Sequence, residues 1–234
     1  MAGLMADISE RVLYEDNHII IVNKLSGEIV QGDKTGDRTI LDDVKLYLKE
    51  KYSKPGNVYL GLPHRLDRPT SGIVVLAKTE KALGRLSELF RTGKVGKTYW
   101  AVTDSIPDGC PEGRLVHWLA HDEKSNKSVA YTSERRNTQR AELEYRAIGK
   151  SDRYYLLEIR LLTGRHHQIR AQLAACGCHI KGDLKYGFPR SNPDGGICLH
   201  SRNVSFVHPV SGVDINVTAP VPECSVWKFF ETKF

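Results

Sequence analysis

An acid, two guanidinium groups and a rigid turn are packed into His64-Arg-Leu-Asp-Arg-Pro-Thr-Ser-Gly72. Pro69 fixes φ and Gly72 admits backbone angles closed to other residues, so the turn is able to hold Asp67 in one place. A carboxylate held that way can attack an electrophilic carbon or accept a proton. Staying ionised is easier with a cation close by, since a counterion within ~4–6 Å lowers an Asp pKa by about 1–3 units. Taken alone, the segment better fits a turn aspartate that binds backbone amides beside surface arginines. A second segment, Leu162-Thr-Gly-Arg-His-His-Gln-Ile-Arg170, collects Arg165, His166, His167 and Arg170 where a strand gives way to a helix. Cations at a helix N-terminus oppose its dipole, so stability alone gives no reason for them there. Backbone amides beside guanidinium groups suit a phosphate or a buried carboxylate.

Other chemical motifs are weaker. Gly93-Lys-Val-Gly-Lys-Thr98 resembles the end of a phosphate-binding loop, but Arg91 stands where that loop needs its first glycine. The helix also precedes it and the strand follows, the reverse of the required order. Cys176-Gly-Cys178-His179 has no second ligand pair to complete a tetrahedral site. Ser71 lacks the GxSxG elbow of a serine hydrolase.

The elements that must carry these residues follow from periodicity and turn chemistry. Arg11–Tyr14 and His18–Asn23 read as strands, and Lys24–Asp37 as a loop. Thr39 caps a helix over Ile40–Glu50, with Leu41, Val44 and Leu48 on one face. Gly72–Lys78 is a continuous apolar run, the pattern of a strand covered on both sides. Thr79 caps a helix to Arg91 whose apolar stripe is Leu83, Leu86, Leu89 and Phe90. Thr98–Thr103, Gly113–Leu119, Ser128–Thr132, Ala141–Ala147 and Tyr154–Leu162 read as further strands. A helix over His166–Ala175 stops at Gly177. Ile197–Val207 and Val213–Thr218 close the pattern as strands, followed by a helix over Cys224–Phe230. Cys110–Gly113 and Pro189–Gly196 read as exposed loops. Strands mostly follow one another directly, so the expected class is α+β, a mixed and largely antiparallel central sheet flanked by helices.

The chain has 234 residues, 34 Lys+Arg against 28 Asp+Glu and a net charge of +6. With 40% apolar residues it has an ordinary globular composition, unlike a disordered, collagenous or disulfide-stapled chain. The positive excess is compatible with a partner that carries phosphate. No stretch approaches the ~20 apolar residues needed to span a bilayer. Met1–Glu10 lacks the basic and apolar regions of a secretory signal, and five cysteines read as reduced thiols, so a cytoplasmic protein is expected.

Several motifs in sequence order resemble those of the RluA family of RNA pseudouridine synthases. The family pattern HRLD-x-x-TSG, followed by an apolar strand ending in Ala-Lys, is met by His64–Gly72 and Gly72–Lys78. Lys97-Thr-Tyr-Trp-Ala101 fits K-x-Y-x-A, and Leu162–Arg170 carries TGR-x-HQIR. Gly182–Gly187 fits GD-x-x-YG, Leu199-His200 the late Leu-His pair, and Phe206–Pro209 F-x-HP. The resemblance covers residues 10–220 or so and is more specific than any one motif. Ser201 stands where a small Ala is common, a mild departure.

The resemblance implies a single catalytic domain over residues 1–234, without the N-terminal S4 module of many relatives. It implies that uridines in tRNA or rRNA are isomerised after the base is flipped out of its stack. Asp67 would be the catalytic carboxylate, attacking C1′ or the ring, or taking a sugar proton. Arg165 would be its ion-pair partner. Tyr99 would pack on the uracil and assist loss of the C5 proton, and Leu199 would wall the other side. Arg65 would fill the vacated stack. His64, Thr70 and Arg170 complete the expected substrate contacts, and Lys94, Lys97, Arg135, Arg136, Arg140 and Arg170 would grip phosphates. No cofactor or metal is implied, because the isomerisation exchanges no electrons. RNA is the expected partner, with no membrane, and the protein is expected to act as a monomer. A catalytically silent RNA-binding protein of the same fold is the alternative. A glycosidase-like hydrolase would want a second carboxylate opposite Asp67, and none is evident.

Overall fold

The apolar run after Gly72 is the strand on which the architecture turns. In the computed structural model, which describes residues 7–32 and 36–233, it becomes β3 (Ser71–Ala77), and all seven of its residues are buried. Its alternate side chains feed two cores, and so do those of the neighbouring β2 (Ile19–Lys24). Ile20, Val22, Val74 and Leu76 pack toward α1 (Ile40–Lys51), in a core shared with Ile169 and Leu173. Ile19, Ile21, Ile73 and Val75 pack toward α2 (Glu80–Arg91) through Ala82 and Leu86. A strand apolar on both faces is what a sheet between helices requires. Both helices start at the expected caps, Thr39 accepting from the Asp42 amide and Thr79 from that of Ala82.

The remaining elements are β1 (Val12–Glu15), β4 (Gly96–Thr103), β5 (Glu112–Asp122), β6 (Lys127–Tyr131), β7 (Gln139–Lys150), β8 (Tyr155–Leu161), α3 (Gln168–Ala175), β9 (Leu199–Val207), β10 (Asp214–Thr218) and α4 (Ser225–Glu231). Among the described residues ten strands form one sheet, in the order β1-β2-β3-β9-β4-β8-β7-β5-β6, with β10 also on β9. Only the β3–β9 pairing is parallel, so the mixed, largely antiparallel α+β architecture stands as expected. A third core, with Trp100, Val102 and Leu156, is closed by Trp227 and Phe230 of α4. The Lys24–Asp37 loop is described except at 33–35, and residues 1–6 of the N-terminal stretch lie outside the described residues.

The β3–β9 junction is short, Ser71 opposite His200 and Gly72 opposite Ser201. Gly72 has φ +109°, and a Cβ there would lie 2.3 Å from the Ser201 carbonyl oxygen and 2.6 Å from its nitrogen. Both contacts are backbone, so neither side can yield cheaply. Gly72→Ala is therefore expected to cost about 3 kcal/mol or more, combining a disallowed φ with a steric clash. Denaturant unfolding checks this, and a midpoint equal to that of the parent chain would refute it.

Candidate active site

The loop ahead of β3 carries Asp67, and it is clamped from three directions. Lys24, fully buried at the end of β2, donates its ammonium to the carbonyls of Leu25 (2.9 Å), Glu28 (2.8 Å) and Arg68 (3.1 Å). Burial pushes this lysine down to about 7, against the opposing pull of Glu28. The Gly27 amide also donates to the Arg68 carbonyl, and the Pro69 carbonyl accepts from Ser26 Oγ and the Ile197 amide. His64 braces the near side. Its Nε2 accepts from the Val75 amide at 2.9 Å and its ring stacks on Phe90, while burial drives its pKa down to about 3. The turn is thus rigid through contacts that no local signal in 64–72 could reveal.

Asp67 faces a cleft of about 510 Å³ whose walls include Leu66, Thr70, Lys97, Tyr99 and Leu199. Its side chain is 28% exposed, and its Oδ2 lies 3.2 Å from Arg170 Nη1 and 3.5 Å from His167 Nε2. Oδ1 has no hydrogen bond to any described residue. Arg170 is itself buried and clamps Asp183 in a two-point contact, Nε to Oδ2 at 2.7 Å and Nη2 to Oδ1 at 2.8 Å. Burial works against its charge, but the bonds to Asp183 and Asp67 outweigh this and raise its pKa.

This corrects the expected pairing. The guanidinium beside Asp67 belongs to Arg170 and not to Arg165. The reason is where α3 begins: its first residue is Gln168, not His166, because His167 adopts a left-handed backbone (φ 52°). Arg165 is left on the preceding turn, exposed, with Nε donating to the Arg140 carbonyl at 3.2 Å. Arg170 sits in the first turn of α3, facing inward. The expectation that Arg170 grips phosphate is corrected too, since its donors are occupied by two carboxylates.

The other expected residues converge on the cleft. Tyr99 and Leu199 come from adjacent strands, β4 and β9, and both are buried. Burial, offset in part by the Ser201 hydroxyl, raises the Tyr99 phenol to about 12, so it is neutral at physiological pH and a poor proton acceptor. Thr70 lines the cleft, and its hydroxyl is buried without a partner among the described residues. Arg65 is exposed at the mouth and makes no hydrogen bond or ion pair with another described residue. Lys97 also lacks such a partner, and burial lowers its pKa. Lys24, His167 and Asp183 are site residues that sequence reasoning gave no role. Usable signals existed for His167, inside Leu162–Arg170, and for Asp183, inside the Gly182–Gly187 motif. Elsewhere, Cys178 donates to the Ser105 carbonyl and His179 pairs with Asp104.

A carboxylate braced by a buried arginine, in a cleft that it shares with Tyr99, Leu199 and the cationic Arg65, Lys97 and Arg165, defines a class: enzymes that do chemistry on a nucleic-acid base. Residues 18–175 match the family model described as RNA pseudouridylate synthase. The chain belongs to that family, as an RNA pseudouridine synthase of the RluA type. It is 30% identical over 227 residues to the ribosomal large subunit pseudouridine synthase D of Zymomonas mobilis, covering 93% of this chain and 71% of that protein. The corresponding protein of Xanthomonas campestris is 32% identical over 241 residues, covering 93% of this chain and 67% of its own length. Among solved structures, the human RNA Pseudouridylate Synthase Domain Containing 4 superposes with a TM-score of 0.78 at 26% identity, covering 95% of this chain and 93% of that one.

Proposed function

We propose that the cleft receives a uridine flipped out of ribosomal RNA and that Asp67 is the carboxylate that isomerises it. One observation carries the reading: Asp67 lines the cleft with Oδ2 tied back to Arg170 and Oδ1 without a hydrogen bond to any described residue. In the reaction the N1–C1′ bond breaks, the uracil turns, C5 bonds to C1′, the C5 proton leaves and N1 gains one. Atoms and electrons balance without a redox partner. In this reading Tyr99 and Leu199, which line the cleft from adjacent strands, hold the ring while it turns and keep the freed base from escaping.

Extraction of the base costs a few kcal/mol of stacking. Arg65, free at the mouth, has the flat guanidinium that can occupy the vacated stack. Arg165, Lys97 and Lys94 are left to meet backbone phosphates. The choice of ribosomal RNA over tRNA draws on the names of the relatives above. One copy of the chain suffices to supply every residue that this reading uses, and a monomeric, cytoplasmic enzyme is part of the proposal.

RNA labelled with tritium at uracil C5 tests the proposal. Ribosomal RNA should release label to water in step with pseudouridine formation, and transfer RNA should not. Binding of both without release would overturn the catalytic reading, and release from transfer RNA alone would overturn the target.

A further inference from the structure

His167 combines a strained backbone with a fully engaged side chain at the edge of the site. Its left-handed φ of 52° is unusual for a residue with a Cβ, and such strain persists only where the surroundings fix it. The ring is stacked on His166 (3.8 Å between centroids), and its Nδ1 lies 2.9 Å from the Tyr186 hydroxyl. Its Nε2 lies 3.5 Å from Asp67 Oδ2.

The hydroxyl of Tyr186 is the partner of Nδ1. It accepts from the Ser128 amide at 2.8 Å, and its one hydrogen has two possible acceptors, the Ser128 carbonyl at 3.2 Å and His167 Nδ1 at 2.9 Å. Given to Nδ1, the hydrogen leaves Nε2 protonated, 3.5 Å from the carboxylate oxygen. Given to Ser128, it leaves a lone pair of Nε2 against a carboxylate oxygen, which repels. A doubly protonated ring is disfavoured, because burial and then Arg170 drive the pKa down to about 2.

We infer that Tyr186 sets the tautomer of His167, so that Nε2–H, together with Arg170, holds Asp67 Oδ2 and leaves Oδ1 to the reacting carbon. The contact is long without substrate and shortens as the cleft fills, as hydrogen bonds at such sites do. His167 is then a positioning residue, and Tyr186 acts through it. The inference rests on Asp67 being the reacting carboxylate.

Tyr186→Phe removes one oxygen and keeps the ring. It is expected to lower kcat for tritium release on the order of 10-fold, the scale seen when an outer partner of a functional group is lost, with KM for RNA nearly unchanged. His167→Asn, a residue that tolerates the left-handed backbone, should lower kcat further, and adding Tyr186→Phe to it should change nothing. Equal losses in both backgrounds, or a parental kcat in Tyr186→Phe, would overturn the inference. Imidazole nitrogen shifts give an independent reading on the parent chain: a bare Nδ1 and a protonated Nε2 support it, and the opposite tautomer overturns it. If Asp67→Asn stays active, the reading of Asp67 fails first. If Asp67→Asn is inactive while Tyr186→Phe behaves as the parent, only the tautomer claim falls.

Discussion

Asp67→Asn is expected to lose turnover by roughly 10⁴-fold or more, the scale on which removal of one member of a catalytic group acts. The amide is almost the same shape, so the cleft stays intact, but it is neither a nucleophile nor a base at neutral pH. The fold should tolerate the change. Arg170 keeps its two bonds to Asp183, and the part-exposed Asp67 contributes only one of its partners. RNA affinity should hold or rise, because a negative charge has been removed from a surface that meets phosphates. Single-turnover tritium release at saturating enzyme, beside a direct RNA-binding titration, separates the two effects. Retention of a few per cent of the parental rate would remove Asp67 from the chemistry.

Much of the fold was legible because its signals are local. Thr39 and Thr79 announce their helices within four residues, and the run Gly72–Lys78 has the pattern of a strand covered on both faces. The parallel contact of β3 with β9 was not legible, since it joins residues more than a hundred positions apart. The site divides the same way. Asp67 was visible because Pro69 and Gly72 flank it, and the strain expected at Gly72 is present at φ +109°. Which arginine reaches it was not visible. Arg165 and Arg170 lie in one short basic segment, and the choice between them depends on the backbone of His167, which delays the helix to Gln168. Periodicity places helix ends only to within a few residues. Lys24 was hidden for a related reason: its partners are carbonyl groups, which carry no side-chain signature.

The exchange of Arg165 for Arg170 gives the second large prediction, because the two arginines should fail in different ways. Arg170 lies between two carboxylates, one of them, Asp183, only 1% exposed. Truncating it to Ala strands a buried charge, which typically costs about 3–5 kcal/mol, so that variant is expected to be largely unfolded or aggregated. Arg170→Gln combined with Asp183→Asn removes the charge from both sides and should recover most of the lost stability. It should not recover turnover, because Asp67 Oδ2 would still lack its cation; a rate at least 10²-fold below the parent is expected, on the order of what one lost electrostatic contact costs. Arg170→Lys should fall between these, since an ammonium cannot serve both carboxylates with a planar fork. Arg165→Ala, by contrast, should leave thermal stability and kcat close to the parent, raising KM and flattening its salt dependence through loss of one phosphate contact. Thermal melts and salt-dependent kinetics on the four variants give the comparison. If Arg165→Ala abolishes kcat while the Arg170→Gln, Asp183→Asn pair remains active, the cation that matters to Asp67 is the exposed one and not the buried one.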